Sequence, residues 1–132
     1  MYGEVLKDLN LKVVDIHAGG GTPSLVDKEW ADIIQTLGEN FDISKNCRFG
    51  IEANPDDLTE ERTFLLMDSG VEEISIGVQS FFRTNLKLLG RIHDVEESLE
   101  AIENCKKAGF KLINIDMIYL FPAKPSTVGS MT

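Results

Sequence analysis

Apolar residues in this chain recur every second position in four stretches, the period of a strand. These are 11–18 (LKVVDIHA), 48–54 (RFGIEAN), 72–80 (EEISIGVQS) and 111–119 (KLINIDMIY). Between them the period lengthens to that of a helix. Residues 27–38 (DKEWADIIQTLG) carry a stripe of Trp30, Ile33, Ile34 and Leu37, with Asp27 as N-cap and Gly38 as the stop. Residues 59–70 form a helix capped by Thr59 and stopped at Gly70. A short helix is predicted near 84–90 (TNLKLLG). A longer one spans 94–109, where Asp94 and Glu97 make a capping-box-like pair and Gly109 ends the run. Residues 2–10 read as the last turns of a helix, and 121–132 as a loop or tail without periodicity. Strands separated by helices imply right-handed crossovers and a parallel sheet of about four strands, an α/β fold.

The alternation also sorts the strand residues by face. Val14, Ile16 and Ala18 oppose Asp15 and His17, and Phe49, Ile51 and Ala53 oppose Gly50, Glu52 and Asn54. Ile74, Ile76 and Val78 oppose Ser75, Gly77 and Gln79, and Ile113, Ile115 and Met117 oppose Asn114 and Asp116. Strands with helices on both faces would read as nearly continuous apolar runs, and these do not. Burying the polar face dry and unpaired would cost about 1–3 kcal/mol for each group, and more for a charge. The pattern therefore predicts a curved, barrel-like sheet with its apolar face under the helices and its polar face around a wet cavity. A single inward Asp or Gln is more often a satisfied structural hydrogen-bonder; four strands split the same way favour the cavity. Polar residues gather near the C-terminal strand ends, the rim that holds the site in (β/α) barrels.

With 132 residues, 42% of them hydrophobic, the chain suits one domain or part of a larger one. The net charge of −9 disfavours nucleic acid, whose binding depends on basic residues, and disfavours anionic membrane surfaces. No apolar stretch is long enough to span a bilayer. Cys47 and Cys105 show no disulfide or metal-ligand spacing, which suggests a reduced, cytoplasmic setting.

Three glycines and a threonine, Gly19 to Thr22, leave the first strand. Bare amides in such a turn can converge on an anion. The loop is neither a Rossmann nor a P-loop motif, and alone it reads as a tight turn that clears its neighbours. It is, however, the first of a series: GGGTPSL, IEANPDDLT, ISIGVQSF, LLGRIH and INIDMIY follow in order at strand ends or just after them. From about Val13 to Pro122 this series closely resembles the radical S-adenosylmethionine (SAM) family, in its branch of oxygen-independent coproporphyrinogen III oxidases and related haem chaperones.

The resemblance implies a partial (β/α) barrel over residues 1–122, followed by an irregular tail at 123–132. It implies a 4Fe-4S cluster and SAM at the open rim, the source of a 5′-deoxyadenosyl radical. By motif, Gly20, Gly21 and Thr22 match the loop that meets the methionyl end of SAM, where side chains would keep the cofactor out. Glu52, Gln79, Arg91 and Asp116 match further SAM-site residues of the family. Arg91 suits two-pronged pairing with a carboxylate. Without the motif, Arg91 would read as a surface cation after a short helix.

The sequence also departs from the family. The cluster's C-x3-C-x2-C loop should precede the glycines, yet no Cys occurs before His17. Cys47 and Cys105 read as ordinary thiols, so the resemblance implies a fragment unable to hold the cluster or to cleave SAM by itself. The family ending IYGLPGQT is replaced by IYLFPAKPST. His17 stands where the family has an apolar or aromatic residue, and neither it nor His93 has an assigned role. The expected function is the SAM-binding core of a protein of haem or porphyrin metabolism, acting on porphyrinogen or haem, with a lean toward the haem chaperones. The alternatives are a haem chaperone or SAM carrier without turnover and a phosphate-binding (β/α) barrel. Two open sheet edges predict marginal stability and association.

Overall fold

The computed structural model describes residues 2–26 and 29–119. Four strands, β1 (Val13–Ala18), β2 (Ile43–Ala53), β3 (Glu73–Gln79) and β4 (Leu112–Met117), form one sheet. All pairings are parallel and the spatial order is β1-β2-β3-β4. Helices α1 (Tyr2–Asp8), α2 (Glu29–Asn40), α3 (Glu60–Asp68), α4 (Arg83–Leu88) and α5 (Val95–Ala108) precede and separate the strands. Sequential parallel order with right-handed crossovers puts the connecting helices on one side of the sheet. The expected α/β partial barrel is what forms.

Local chemistry defines the helix ends as the caps predict. The Thr59 hydroxyl accepts from the Arg62 N–H at 3.2 Å, and Asp94 Oδ1 accepts from the Glu97 N–H at 2.8 Å. Gly109 takes the left-handed conformation, φ 91°, that ends α5. Gly38 does not stop α2, which continues to Asn40; a lone exposed glycine costs a helix too little to break it. The expected cap Asp27, the altered ending at Leu120 and Phe121, and the tail at 123–132 lie outside the described residues.

The core lies between the helices and the apolar face of the central strands. Ile51, Leu66, Val71, Ile74, Ile76 and Val78 are fully buried in it. Trp30 from α2 meets Phe49 of β2 edge to face, with ring centroids 5.4 Å apart. The edge strands depart from the expected pattern. Val14 is 65% exposed, where the β1–β2 register slips between Val13 and Asp15. Ile115 and Met117 of β4 are 40% and 44% exposed, because the buried core is centred on β2 and β3. Strand β2 begins five residues earlier than its alternation suggests, in the irregular pairing where Val13 faces Ile43 and Asp15 faces Arg48.

Two glycines make opposite predictions. Gly3 of α1 packs so closely on the end of α2 that a Cβ would overlap the Asn40 carbonyl oxygen. Gly38 has open space around its Cβ position. Gly3→Ala is expected to destabilise the fold by about 1–3 kcal/mol through overpacking. Gly38→Ala is expected to stabilise it by about 0.5–1 kcal/mol. Urea titration of both variants checks the pair. The outer sides of β1 and β4, which pair with no strand among the described residues, also predict concentration-dependent association of this chain expressed alone, read by analytical ultracentrifugation; a strictly monomeric boundary up to high concentration would contradict it.

Candidate functional site

The sheet face turned away from the core is polar and largely open to solvent. Arg48 of β2 bridges its neighbours on this face, 3.2 Å from Asp15 of β1 and 3.9 Å from Glu73 of β3. Nearer the C-terminal strand ends, His17 Nε2 stands 3.5 Å from Glu52 Oε1. A cavity of about 230 Å3 opens there. Gly21, Thr22, Glu52, Gln79, Arg91 and Asp116 all line it. These six come from five separate stretches of chain, at the ends of all four strands and in the loop after α4. Gly20 is not among the lining residues and sits beside Gly21 in the same turn.

The glycine loop owes its composition to two local requirements. Gly20 and Gly21 have φ of 76° and 49°, the left-handed region that costs other residues strain, and both have open space where a Cβ would stand. At Gly19 a Cβ would lie 3.2 Å from the Glu52 carboxylate. Gly19 thus makes room for Glu52, while the next two glycines supply the turn.

At three of the four strand ends a buried side-chain donor ties the rim to the body. Trp30 Nε1 donates to the Pro23 carbonyl at 3.1 Å, holding the short 3-10 turn Pro23–Leu25 that follows the glycines. Asn104 Nδ2 of α5 donates to the Leu58 carbonyl at 2.8 Å, beyond the 3-10 turn Pro55–Asp57. His93 Nε2 lies 2.9 Å from the Val78 carbonyl at the end of β3. The first two loops also meet directly, Ser24 Oγ donating to Asp57 at 3.4 Å. Burial, then the charge of Asp56, raises the Asp57 carboxyl above its ordinary value.

Gln79 is the strained point of the rim. Its φ is 70°, unusual for a residue with a long side chain and costing of order 1–3 kcal/mol. The Ser80 N–H donates back to the Val78 carbonyl at 2.8 Å, closing a γ-turn of the rare positive-φ kind. The pairing of β3 with β4 shifts register at the same place. The Gln79 amide occupies the space before Gly77, where a Cβ would stand 2.9 Å from Nε2.

Asn54, Ser75 and Gly77 also line the cavity. The alternation had put all three on the polar face, and that was the signal for them. The His17–Glu52 contact had no signal beyond a shared face, because strand register is not local information.

Among the described residues the lining has two carboxylates, Glu52 and Asp116, and one cation, Arg91. Such a set suits a zwitterion with hydroxyls better than a bare anion. The cysteines do not fit an iron–sulfur cluster. Neither belongs to a group of metal-ligating side chains among the described residues; burial pushes the Cys105 thiol up to about 12 and raises Cys47 as well, with Asp15 contributing. No group of three metal-ligating side chains occurs among the described residues, and no helix among them is long and apolar enough to cross a membrane.

Comparison with known proteins agrees with this fold. The chain is 40% identical over 114 residues to the heme chaperone HemW of Lactococcus lactis, covering 86% of this chain and 30% of that protein. It is 37% identical over 125 residues to the oxygen-independent coproporphyrinogen-III oxidase-like protein HemZ of Bacillus subtilis, covering 92% and 25%. The solved coproporphyrinogen III oxidase HemN of Escherichia coli, a radical SAM enzyme, superposes with a TM-score of 0.75 at 30% identity, covering 86% of this chain and 26% of that one. The chain thus spans under a third of the length of these relatives. A family model for the radical SAM superfamily matches residues 2–125, nearly the whole sequence. With the parallel order of the strands and the rim cavity, that match makes this chain a member of the radical SAM superfamily.

Proposed function

We propose that the rim cavity binds S-adenosylmethionine and that the chain is the SAM-holding part of a cytoplasmic protein of haem or porphyrin metabolism. The observation that carries the proposal is the convergence of Gly21, Thr22, Glu52, Gln79, Arg91 and Asp116 on one cavity from five separate stretches. SAM offers a carboxylate and an ammonium at its methionyl end and hydroxyls on its ribose. Arg91 would pair with the carboxylate, a planar match for guanidinium. Glu52 and Asp116 would accept from the ammonium or the ribose hydroxyls, and Gln79 can donate or accept. The amides of the Gly20–Thr22 turn would meet the methionyl end. When bound, SAM supplies the family's radical chemistry. This chain's cysteines do not fit the cluster which that chemistry requires, so its own residues are assigned the binding of SAM alone.

The names of the relatives supply the metabolic setting, and a porphyrinogen or haem is the corresponding partner. Similarity to both a chaperone and oxidase-type proteins fits either transport or turnover in the complete protein. The phosphate-binding alternative is the weaker one, since among the described residues Glu52 and Asp116 oppose a bare anion and Arg91 alone attracts it.

Calorimetric titration with SAM, S-adenosylhomocysteine and inorganic phosphate tests the proposal. Binding of both adenosyl compounds and none of phosphate is expected. Asp116→Asn and Arg91→Gln should each weaken SAM about ten- to one-hundred-fold, the effect of losing one charge-assisted hydrogen bond. Phosphate binding without SAM binding would reverse the assignment.

A further inference from the structure

We propose that His93 is a positioning residue for the cavity, holding Gln79 in its left-handed turn and seating Arg91 beside it. The inference rests on the reading of the cavity as a SAM site. It begins from the strain at Gln79. Among the described residues only Asn10 shares a positive φ without being glycine, and asparagine tolerates that region far better than glutamine. A glutamine kept there needs something that outweighs the preference for extended backbone.

His93 supplies it. The ring is 4% exposed, in the segment between α4 and α5. A carbonyl oxygen only accepts, so Nε2 carries the proton that it gives to Val78. The same carbonyl takes the Ser80 N–H, which fills both its lone pairs and fixes the plane of the peptide entering Gln79. On the other side the Gln79 carbonyl accepts from the Ile118 N–H at 2.9 Å, tying the turn to the chain two residues beyond Asp116. Ser80 is buried, and its Oγ accepts from the Phe82 N–H at 3.0 Å, so the exit is held too. Arg91 stands two residues before His93, its N–H bonded to the Leu86 carbonyl at 3.0 Å. One imidazole therefore joins the segment that carries Arg91 to the turn that carries Gln79, and both side chains line the same cavity.

Three variants test the role: His93→Gln, whose terminal amide can stand where Nε2 stands; His93→Asn, which is too short; and His93→Phe, which fills the space without a donor. The first measurement needs no ligand. The Cα and Cβ chemical shifts of Gln79 report its backbone conformation, and amide exchange of Ser80 reports the turn. The parent chain and His93→Gln should keep left-handed shifts at Gln79 and a protected Ser80 amide. His93→Phe and His93→Asn should lose both. Titration with S-adenosylhomocysteine should then show about tenfold weaker binding for Phe and Asn, and near-parental binding for Gln, the scale of one hydrogen bond. Gln79 shifts and affinity that are the same in all four proteins would overturn the inference. If His93→Phe fails to fold, the contrast between Gln and Asn still decides it. Loss of the Gln79 turn in Phe and Asn, in a parent that binds no adenosyl compound, would uphold the positioning role and overturn the SAM assignment instead.

Discussion

Four parallel strands in sequential order can be connected in the right-handed sense only by helices on one side of the sheet. That chirality leaves the other side uncovered by the connecting helices. The covered face is hydrocarbon, and the uncovered one carries Arg48 between Asp15 and Glu73, His17 against Glu52, and the polar rim. A charged group on the helix side would lose its water without gaining a partner, whereas on the open side it keeps both. The site follows from the handedness of the connections before any particular ligand is considered.

A rim of loops would be a poor template for a small ligand if the loops moved independently. Here the indole of Trp30, the amide of Asn104 and the imidazole of His93 each satisfy a backbone carbonyl near the end of a different strand. Buried carbonyls need such partners, and each donor comes from a segment distant from the carbonyl that it holds. The strain at Gln79 belongs in this setting, since an unfavourable backbone conformation persists only where its surroundings determine it from several directions.

Charge is distributed to the same end. The chain as a whole is strongly acidic, yet its cavity sets one guanidinium beside two carboxylates. A site built for phosphate would gather donors; this lining mixes donors with acceptors. The buried Cys105 belongs to the hydrophobic core, and its elevated pKa keeps it a thiol there.

The order of strands and helices, the capping of α3 and α5, and the division of the two central strands into an apolar and a polar face were legible in the sequence, because periodicity and capping depend on residues within a turn or two of each other. The motifs naming Glu52, Gln79, Arg91 and Asp116 were legible for the same reason, each being a short string. What only the tertiary structure decided was contact between distant segments. Strand β2 reaches back to Ile43 because β1 lies beside it, and Val14 is exposed where their register slips. Gly19 is small because Glu52, thirty-three residues later, fills the space in front of it. His93 looked like a motif's last letter until the fold brought its ring to the Val78 carbonyl. Hydrogen bonds of that kind depend on where the core sets each loop, and no local pattern encodes that placement.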